Sequence, residues 1–381
     1  MAFSPASRQA RRAFLIGGLG AVLMLAGCQT GPRGPRPGPG PVIPVTPIDA
    51  QRNLVAVIVP LTGGDGAVGT SIANAANLAL LDSGDKSIRV TVYNSAGPGG
   101  AAAAATRAIA EGNKLFLGPL LAEDVRAAAP IARRAGVPIV AFSNDEAVAG
   151  RGVYIMGFTP DQSIDRVVRH ARSKGMARFG VMVPTGLYGQ RASQAMIGAV
   201  RKHGGRIIGL EQFDRSPAGV KNAAARLKAK GTFDAVLIGD AGRIAAVAAP
   251  ALPRAVKLLG TELWASDRTL GRTPSLRGAW YAAAPDMRFN QLTTRYRARY
   301  GKTPYRLASL GYDAVLLAVR SSKNWRIGRP FPAATLTASD GFSGVDGNFR
   351  FNRDGIAERL LEVRQVNAGG ATTVSPAAKA F

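Results

Sequence analysis

The segment VAVIVPLTGGDGAVGTSIANAANLAL, Val55–Leu80, joins a run of apolar, mostly β-branched residues to an alanine-rich stretch. A continuous apolar run predicts a strand that is buried on both faces, and the alanine-rich stretch predicts a helix that covers it. The alternation continues along the chain. Strands are predicted at 54–60, 88–94, 114–119 and 137–143, and helices at 70–81, 99–111 and 122–135. This pattern indicates an α/β fold with a parallel sheet.

A second set of alternating elements starts after Pro160. Helices are predicted near 161–174, 188–203, 217–229 and 241–251, and strands at 178–184, 205–213, 233–239 and 255–260. Two such sets exceed the length at which one hydrophobic core stops growing, about 250–300 residues. The sequence therefore predicts two lobes. Ligands of such sheets bind outside the carboxyl ends of the strands, so a site is expected in the cleft between the lobes.

The beginning of the chain has the pattern of an export signal. Three arginines, Arg8, Arg11 and Arg12, come first, and an apolar stretch from Phe14 to Ala26 follows them. This stretch is too short to span a bilayer, which requires about 20 residues. The sequence Leu25-Ala26-Gly27-Cys28 resembles a bacterial lipobox, which implies removal of residues 1–27 and a lipid on Cys28. The paired arginines leave general secretory and twin-arginine export as alternatives.

Cys28 is the only cysteine of the chain. If it carries lipid, thiol catalysis, disulfides and cysteine metal sites are excluded. Gln29, in place of aspartate, implies sorting of the lipoprotein to the outer membrane. The following residues, up to 52, are rich in proline and glycine, which predicts an extended linker that cannot bury a core.

The chain is strongly basic, with 49 Lys and Arg against 24 Asp and Glu and a formal net charge of +25. An exported protein of this charge meets anionic head groups and acidic cell-wall polymer, so nucleic acid is not the expected partner. The densest basic segment is 288–306. It predicts a helix with a solvated basic face and its aromatic residues in the core, with an anionic contact through Arg295, Arg297 and Arg299 as the alternative.

Patterns typical of catalysis are weak. Gly64 to Gly69 matches G-x-G-x-x-G, but it begins well after the strand end at Pro60, and the next strand ends in Asn94 instead of a carboxylate. We interpret it as a glycine-rich rim of the cleft. Ser83 to Lys86 matches S-x-x-K but predicts a turn. The two histidines, His170 and His203, are expected at the surface. The sequence therefore predicts no enzyme, no cofactor and no metal site.

The segments VAVIVPLTGGDGAVGTSIANAANLAL, LFLGPLLAEDVRAAAPIARRAGVPIVAFSN, GLYGQRASQAM and GYDAVLLA together resemble the periplasmic solute-binding proteins of the leucine/isoleucine/valine type, over about residues 53–368. The resemblance implies the type I periplasmic binding protein fold, with two Rossmann-like lobes joined by a hinge. It would place lobe 1 at 53–157 plus 284–327, lobe 2 at 158–283 plus 328–368, and a C-terminal tail at 369–381.

The resemblance also implies ligand-binding residues in the cleft. Tyr188 would be the aromatic that covers the ligand, Glu262 the acid that receives its amine, and Asp240 a residue of the cleft edge. Members of this family that bind amino acids use Ser and Thr hydroxyl groups to bind the carboxylate of the ligand, and most of these hydroxyls are absent here. The remaining donors are Ser143 and the backbone amides next to it, at Asn144.

The first hydroxyl position reads Leu121-Ala122-Glu123-Asp124, and the second reads Ser143-Asn144-Asp145-Glu146. The acidic residues in both would repel a carboxylate, and a buried carboxylate without a partner is costly. Binding of an amino acid in the family's usual way is therefore not expected at this position.

Two interpretations of the function remain open. The segments IVPLTG and LGPLLAEDV, with the lipobox, also resemble the lipoprotein activators of penicillin-binding proteins, which implies a peptidoglycan synthase as the partner. The alternative is a substrate-binding protein of an ABC transporter for amino acids or similar small polar solutes. Anchoring in the outer membrane would separate the two, because a transport receptor must reach a permease in the inner membrane.

Overall fold

The computed structural model describes residues 51–267 and 269–381. The predicted signal peptide, the lipid site Cys28 and nearly all of the predicted linker lie outside the described residues. Within the described ranges, none of the helices has the length and apolar character required to cross a membrane.

The first sheet is parallel and has the strand order β2-β1-β3-β4-β5. Its strands are β1 (Asn53–Val59), β2 (Ile88–Asn94), β3 (Leu115–Leu117), β4 (Ile139–Ala141) and β5 (Val153–Ile155). The helices between them are α1 (Gly66–Ser83), α2 (Gly100–Ala110) and α3 (Ala122–Arg134). We call this sheet with its helices lobe 1.

The second sheet has the order β15-β14-β10-β9-β8-β6-β7, parallel except for β14 and β15. Its strands are β6 (Arg178–Pro184), β7 (Arg206–Phe213), β8 (Ala235–Ile238), β9 (Lys257–Gly260), β10 (Trp280–Ala283), β14 (Glu362–Asn367) and β15 (Gly370–Ser375). The accompanying helices are α4 (Pro160–Ser173), α5 (Leu187–Lys202), α6 (Pro217–Ala229) and α7 (Gly242–Ala248). We call this unit lobe 2.

The two predicted sets of elements and the α/β fold are confirmed. The predicted strand at 178–184 and the predicted helix at 217–229 agree with β6 and α6 at both ends. The S-x-x-K match is the predicted turn, since α1 ends at Ser83 and Gly84 has a left-handed φ of 62°. The apolar pattern identified these elements because each is buried by its own sheet.

After β10 the chain returns to lobe 1 in α8 (Met287–Tyr300) and α9 (Ala308–Ser322), and α9 packs on α1. The basic segment predicted at 288–306 is helical up to Tyr300, with Arg295, Arg297 and Arg299 exposed and Tyr296 buried. Arg295 pairs with Asp82 at 3.2 Å. The prediction of a basic, solvated helix face is confirmed, and an anionic contact there stays a prediction.

A small antiparallel sheet follows, formed by β11 (Phe342–Gly344), β12 (Gly347–Phe351) and β13 (Ala357–Arg359). Phe342, Phe349 and Phe351 belong to the hydrophobic core of lobe 1, whereas the following strand, β14, belongs to the sheet of lobe 2. The packing thus differs from the expectation that placed all of 328–368 in lobe 2. The sequence pattern did not predict these strands or the core that they join.

Both histidines are less exposed than predicted. His170 is buried, and its ring meets the ring of Trp280 edge-on at a centroid distance of 4.7 Å. His203 Nε2 lies 2.9 Å from Asp165 Oδ1. The prediction of a surface position was wrong for His170. This residue lies in the last turn of α4, and α4 packs against β10, whose place in the sheet the local sequence does not reveal.

Candidate functional site

A cavity of about 290 Å³ lies between the lobes. Its walls come from the start of α1, the connection between β5 and α4, the turns after β9 and β10, and the connection between α8 and α9. The lining residues are Val68, Phe158, Glu262, Leu263, Ala265, Ser266, Ala283, Ala284, Tyr305, Arg306 and Leu307. The predicted glycine-rich rim reaches this cavity through Val68. The walls are mainly apolar, and Glu262 and Arg306 are the ionisable groups apart from the phenol of Tyr305.

Glu262 and Tyr188 were both predicted as site residues, and the structure brings them together. Glu262 follows β9, and its carboxylate accepts a short hydrogen bond from Ser163 Oγ of α4. Tyr188, in the first turn of α5, donates its hydroxyl to Glu262 Oε1 at 3.3 Å and lies 3.2 Å from Thr261 Oγ1. Tyr188 does not line the cavity, but its hydrogen bond positions the carboxylate of Glu262, which forms part of the cavity wall.

The surroundings of Glu262 change its acidity. Burial raises the pKa of its carboxyl group to about 7, although the hydrogen bonds from Ser163 and Tyr188 act in the opposite direction. Burial, together with the charge of Glu262, raises the pKa of Tyr188 well above its ordinary value. Near neutral pH, Glu262 is therefore present in both protonation states. It can accept a hydrogen bond from a cationic ligand or donate one to a neutral ligand.

Asp240 follows β8 as predicted, but its carboxylate is already engaged. Its Oδ2 accepts from Arg215 Nε at 2.8 Å, and its Oδ1 accepts from the backbone amide of Ala241 at 2.7 Å. Asp240 does not line the cavity. Its backbone oxygen accepts from Trp264 Nε1 at 2.9 Å, so Asp240 positions the turn that follows Glu262.

Ser143 and Asn144 lie after β4 and do not line the cavity. Ser143 is buried, and its hydroxyl oxygen accepts from the backbone amide of Asp145 at 3.1 Å. Asn144 is exposed. The loop that was expected to supply donors to a ligand therefore uses its serine to stabilise its own turn.

Asp145 forms the principal charged contact of this loop. Its side chain is only 4% exposed and forms ion pairs with Arg126 of α3 at 2.7 Å and with Arg191 of α5 at 2.5 Å. Arg126 belongs to lobe 1, whereas Arg191 reaches across from lobe 2. The carboxylate that was expected to repel a ligand anion is thus neutralised by two arginines. Sequence reasoning missed Arg191, although it stands in GLYGQRASQAM, three residues after Tyr188.

The second acidic pair, Glu123 and Asp124, has a different role from the one expected. Both lie in the first turn of α3, and Arg133 and Arg134 lie in its last turn. Negative charge at the amino end and positive charge at the carboxyl end match the helix dipole, which stabilises the helix.

The ion pair between Asp145 and Arg191 predicts a closed arrangement of the lobes. Replacing Arg191 with alanine is expected to raise the population of open molecules about tenfold, because one of the two ion pairs on a buried carboxylate is lost. Small-angle X-ray scattering of the free protein would then show a larger radius of gyration. Arg201→Ala removes an exposed arginine of the same helix and is the matched control. Equal radii for the two variants would contradict the prediction.

The described ranges contain no cluster of three or more His, Cys, Asp or Glu side chains that could hold a metal ion. Two α/β lobes face each other with the carboxyl ends of their strands, a mainly apolar cavity lies between them, and an ion pair joins them across the cleft.

The family follows from comparison with known proteins. The sequence profile of the periplasmic binding protein family matches residues 54–371, and the chain belongs to this family. Membership implies a periplasmic location. Among curated proteins, an uncharacterized protein of Rickettsia prowazekii is 24% identical over 169 residues. The match covers 44% of this chain and 45% of that protein, so the chain matches about half the length of this relative.

Solved structures share the fold. A leucine-binding protein of Thermotoga maritima is 21% identical, with a TM-score of 0.63, over 85% of this chain and 98% of that one. A putative branched-chain amino acid ABC transporter protein of Rhodospirillum rubrum is also 21% identical, with a TM-score of 0.74, over 85% and 100%. A benzoate-bound solute-binding protein of Rhodopseudomonas palustris is 18% identical, with a TM-score of 0.63, over 87% and 97%.

Proposed function

We propose that this protein is a non-catalytic receptor that takes a small ligand with an apolar body into the cavity between its lobes, as the substrate-binding protein of an ABC transporter. The observation that carries this proposal is the cavity itself. Its volume of about 290 Å³ is close to the lower end of small-molecule sites, about 300–1,000 Å³. Structural relatives named for leucine and for benzoate support a ligand of this size.

The ionisable groups of the cavity suggest how the ligand is oriented. Glu262 is the acceptor proposed for an amine or a hydroxyl group, as the sequence had suggested. Arg306 offers a guanidinium at the same cavity, and this group is positioned by Asp346 and by the ring of Phe289, 4.1 Å away. A carboxylate would therefore be bound by Arg306 and not by hydroxyls at 121–124 and 143–146. On this proposal, the other predicted site residues shape the cleft and do not contact the ligand; they are Asp240, Ser143 and Asn144.

Calorimetry of the full-length chain with leucine, isoleucine and benzoate tests the proposal. We expect micromolar binding of at least one of them, and loss of that binding in Val68→Trp, because the indole fills the cavity next to Glu262. Val374→Trp places the same side chain on β15, outside the cavity, and should bind normally. Absence of binding by the unmodified chain, or equal binding by both variants, would contradict the proposal.

A second candidate is the activator of a peptidoglycan synthase. The observation that favours it is the lipobox at Cys28 with Gln29, together with the missing hydroxyls at 121–124. For this candidate function we further propose that Cys28 carries a lipid, that the lipid anchors the protein in the outer membrane, and that the segment up to residue 52 is an extended linker.

Pull-down from an envelope extract separates the two candidates. Capture of a peptidoglycan synthase that is equal for the unmodified chain and Val68→Trp, with no small-ligand binding, would favour the activator. Small-ligand binding that Val68→Trp abolishes would favour the transport receptor.

A further inference from the structure

A second pocket lies at the opposite end of the lobe 2 sheet from the cleft. Glu262 follows the carboxyl end of β9, whereas this pocket surrounds the amino ends of β9 and β10. Its volume is about 560 Å³, well within the range of small-molecule sites. The walls are formed by residues 249–258 and 274–279. A molecule bound here would not enter the cavity between the lobes.

The charges on this pocket have one sign. Arg254, Lys257 and Arg277 line it, and none of the lining residues is Asp or Glu. Some basic side chains of lobe 2 have acidic partners, as in the pairs of Arg178 with Asp234 and of Arg226 with Glu211. Within 51–267 and 269–381, by contrast, the side chains of Arg254 and Arg277 make no hydrogen bond and no ion pair. Two guanidinium groups at the mouth of the pocket are therefore available to a ligand.

Lys257 supplies a third positive charge, which is held in place. Its Nζ donates to the backbone oxygen of Gly278 at 2.9 Å and lies 4.4 Å from the centroid of the Trp280 ring. A carbonyl and an aromatic face orient an ammonium group without neutralising it. Within the described ranges, the ammonium makes no ion pair, so it can also face an anion.

The remaining walls are stiff and carry mostly apolar side chains, with Ser275 as the polar exception. Pro250, Pro253 and Pro274 stand on the lining, and Leu252 and Leu258 form its buried side. Proline fixes its own φ, so these walls lose little conformational entropy when a ligand binds. The pocket therefore suits a molecule that has an organic body as well as an anionic group.

We propose that this pocket is a second binding site, for a ligand that carries a phosphate group on an organic body. Three cations without acidic neighbours match a phosphate monoester, which bears a charge of about −1.5 to −2 at pH 7, better than a single carboxylate. The planar guanidinium of arginine can bind two phosphate oxygens at once. The phosphate can belong to a soluble ester or to a lipid head group, and the experiment below distinguishes these sources.

The test uses the full-length chain with three probes that are all phosphate monoesters, namely phenyl phosphate, glycerol 3-phosphate and vesicles that contain phosphatidic acid. The double variant Arg254→Gln/Arg277→Gln is expected to bind the recognised probe at least about tenfold more weakly, because two charge-assisted contacts are lost. Both side chains are exposed and without partners, so the variant should keep the fold. Loss of binding to a soluble probe assigns a soluble ester, and loss of binding only to vesicles assigns a head group.

The control is Arg326→Gln/Arg329→Gln. It removes the same charge from two exposed arginines that do not line the pocket. It should bind each probe within about twofold of the unmodified chain, since a distant surface charge is screened by salt. Equal weakening in both double variants would show attraction by net charge alone and would overturn the proposal. Absence of binding for all three probes would also overturn it.

Discussion

Replacing Asp346 with alanine is expected to lower the free energy of unfolding by about 3 kcal/mol, because it leaves buried positive charge without its counter-charge. Asp346 is fully buried and accepts hydrogen bonds from Arg306 Nη1 and from Ser309 Oγ. Arg359, also buried, donates Nη2 to the backbone oxygen of Met156, and its Nε and Nη1 have no hydrogen-bond acceptor among the described residues. The negative charge of this cluster is therefore needed by two guanidinium groups.

A neighbouring acid limits the expected loss. Burial and the charge of Asp346 raise the pKa of Asp313 to about 7. Without Asp346, that pKa falls, so Asp313 ionises more fully and compensates part of the lost charge. For this reason we expect the lower end of the 3–5 kcal/mol that breaking a buried pair usually costs. Urea unfolding followed by circular dichroism measures the difference.

Asp340→Ala is the matched control for Asp346→Ala. Asp340 also pairs with an arginine, Arg320, at 2.7 Å, but its side chain is 69% exposed. Loss of an exposed pair is expected to cost less than about 1 kcal/mol. If both variants were destabilised to the same small extent, the buried cluster would not stabilise the protein. The comparison also concerns the ligand site, because Asp346 positions the Arg306 guanidinium that lines the cavity.

The second large effect is expected for Gly189→Ala in α5. A Cβ at this position would lie 1.6 Å from the backbone oxygen of Pro184, at the end of β6. Because the obstacle is backbone, the clash can be relieved only by moving α5 away from β6. We expect a loss of about 3 kcal/mol in the free energy of unfolding, at the upper end of the usual cost of overpacking. Thermal and urea unfolding would measure it.

Gly198→Ala tests the same substitution in the same helix without the clash, since a Cβ there would meet no atom within 4 Å. The expected change has the opposite sign, a gain of about 0.5–1 kcal/mol, because alanine loses less backbone entropy than glycine in a helix. Destabilisation of both variants to a similar degree would contradict the packing argument.

Lobe 1 repeats the close approach seen at Gly189. A Cβ on Gly69 would lie 1.7 Å from the backbone oxygen of Pro60, after β1. In both lobes a glycine thus lets the helix that follows a strand, α1 after β1 and α5 after β6, start close to the carboxyl end of that strand. This places Val68 on the cavity in lobe 1, and Tyr188 and Arg191 near the cleft in lobe 2. Gly69, the last glycine of the G-x-G-x-x-G match, therefore has a packing role.

The sequence was informative where a segment is buried by its own sheet. The strands from β1 to β4 and from β6 to β9, and the helices α1 to α7, follow from runs of apolar residues and alanine-rich windows. The later strands are shorter or carry mixed patterns, such as EVRQVN in β14, which pairs antiparallel with β10. Their place in the sheet depends on contacts with residues about 80 positions earlier, as in the pairing of Trp280 with Gln365.

The sequence by itself determined the α/β class, the two sets of elements and the position of a cleft, because hydrophobic periodicity is a local property that burial in a sheet requires. The resemblance to the family pointed to Glu262 and Tyr188, which the structure brings together. Only the tertiary structure decided the partners of the charges. Asp145 meets Arg191, and Asp346 meets Arg306, across long intervals of chain. A charge pairs with whichever opposite charge folding brings within hydrogen-bonding distance, and no local pattern of residues records that choice.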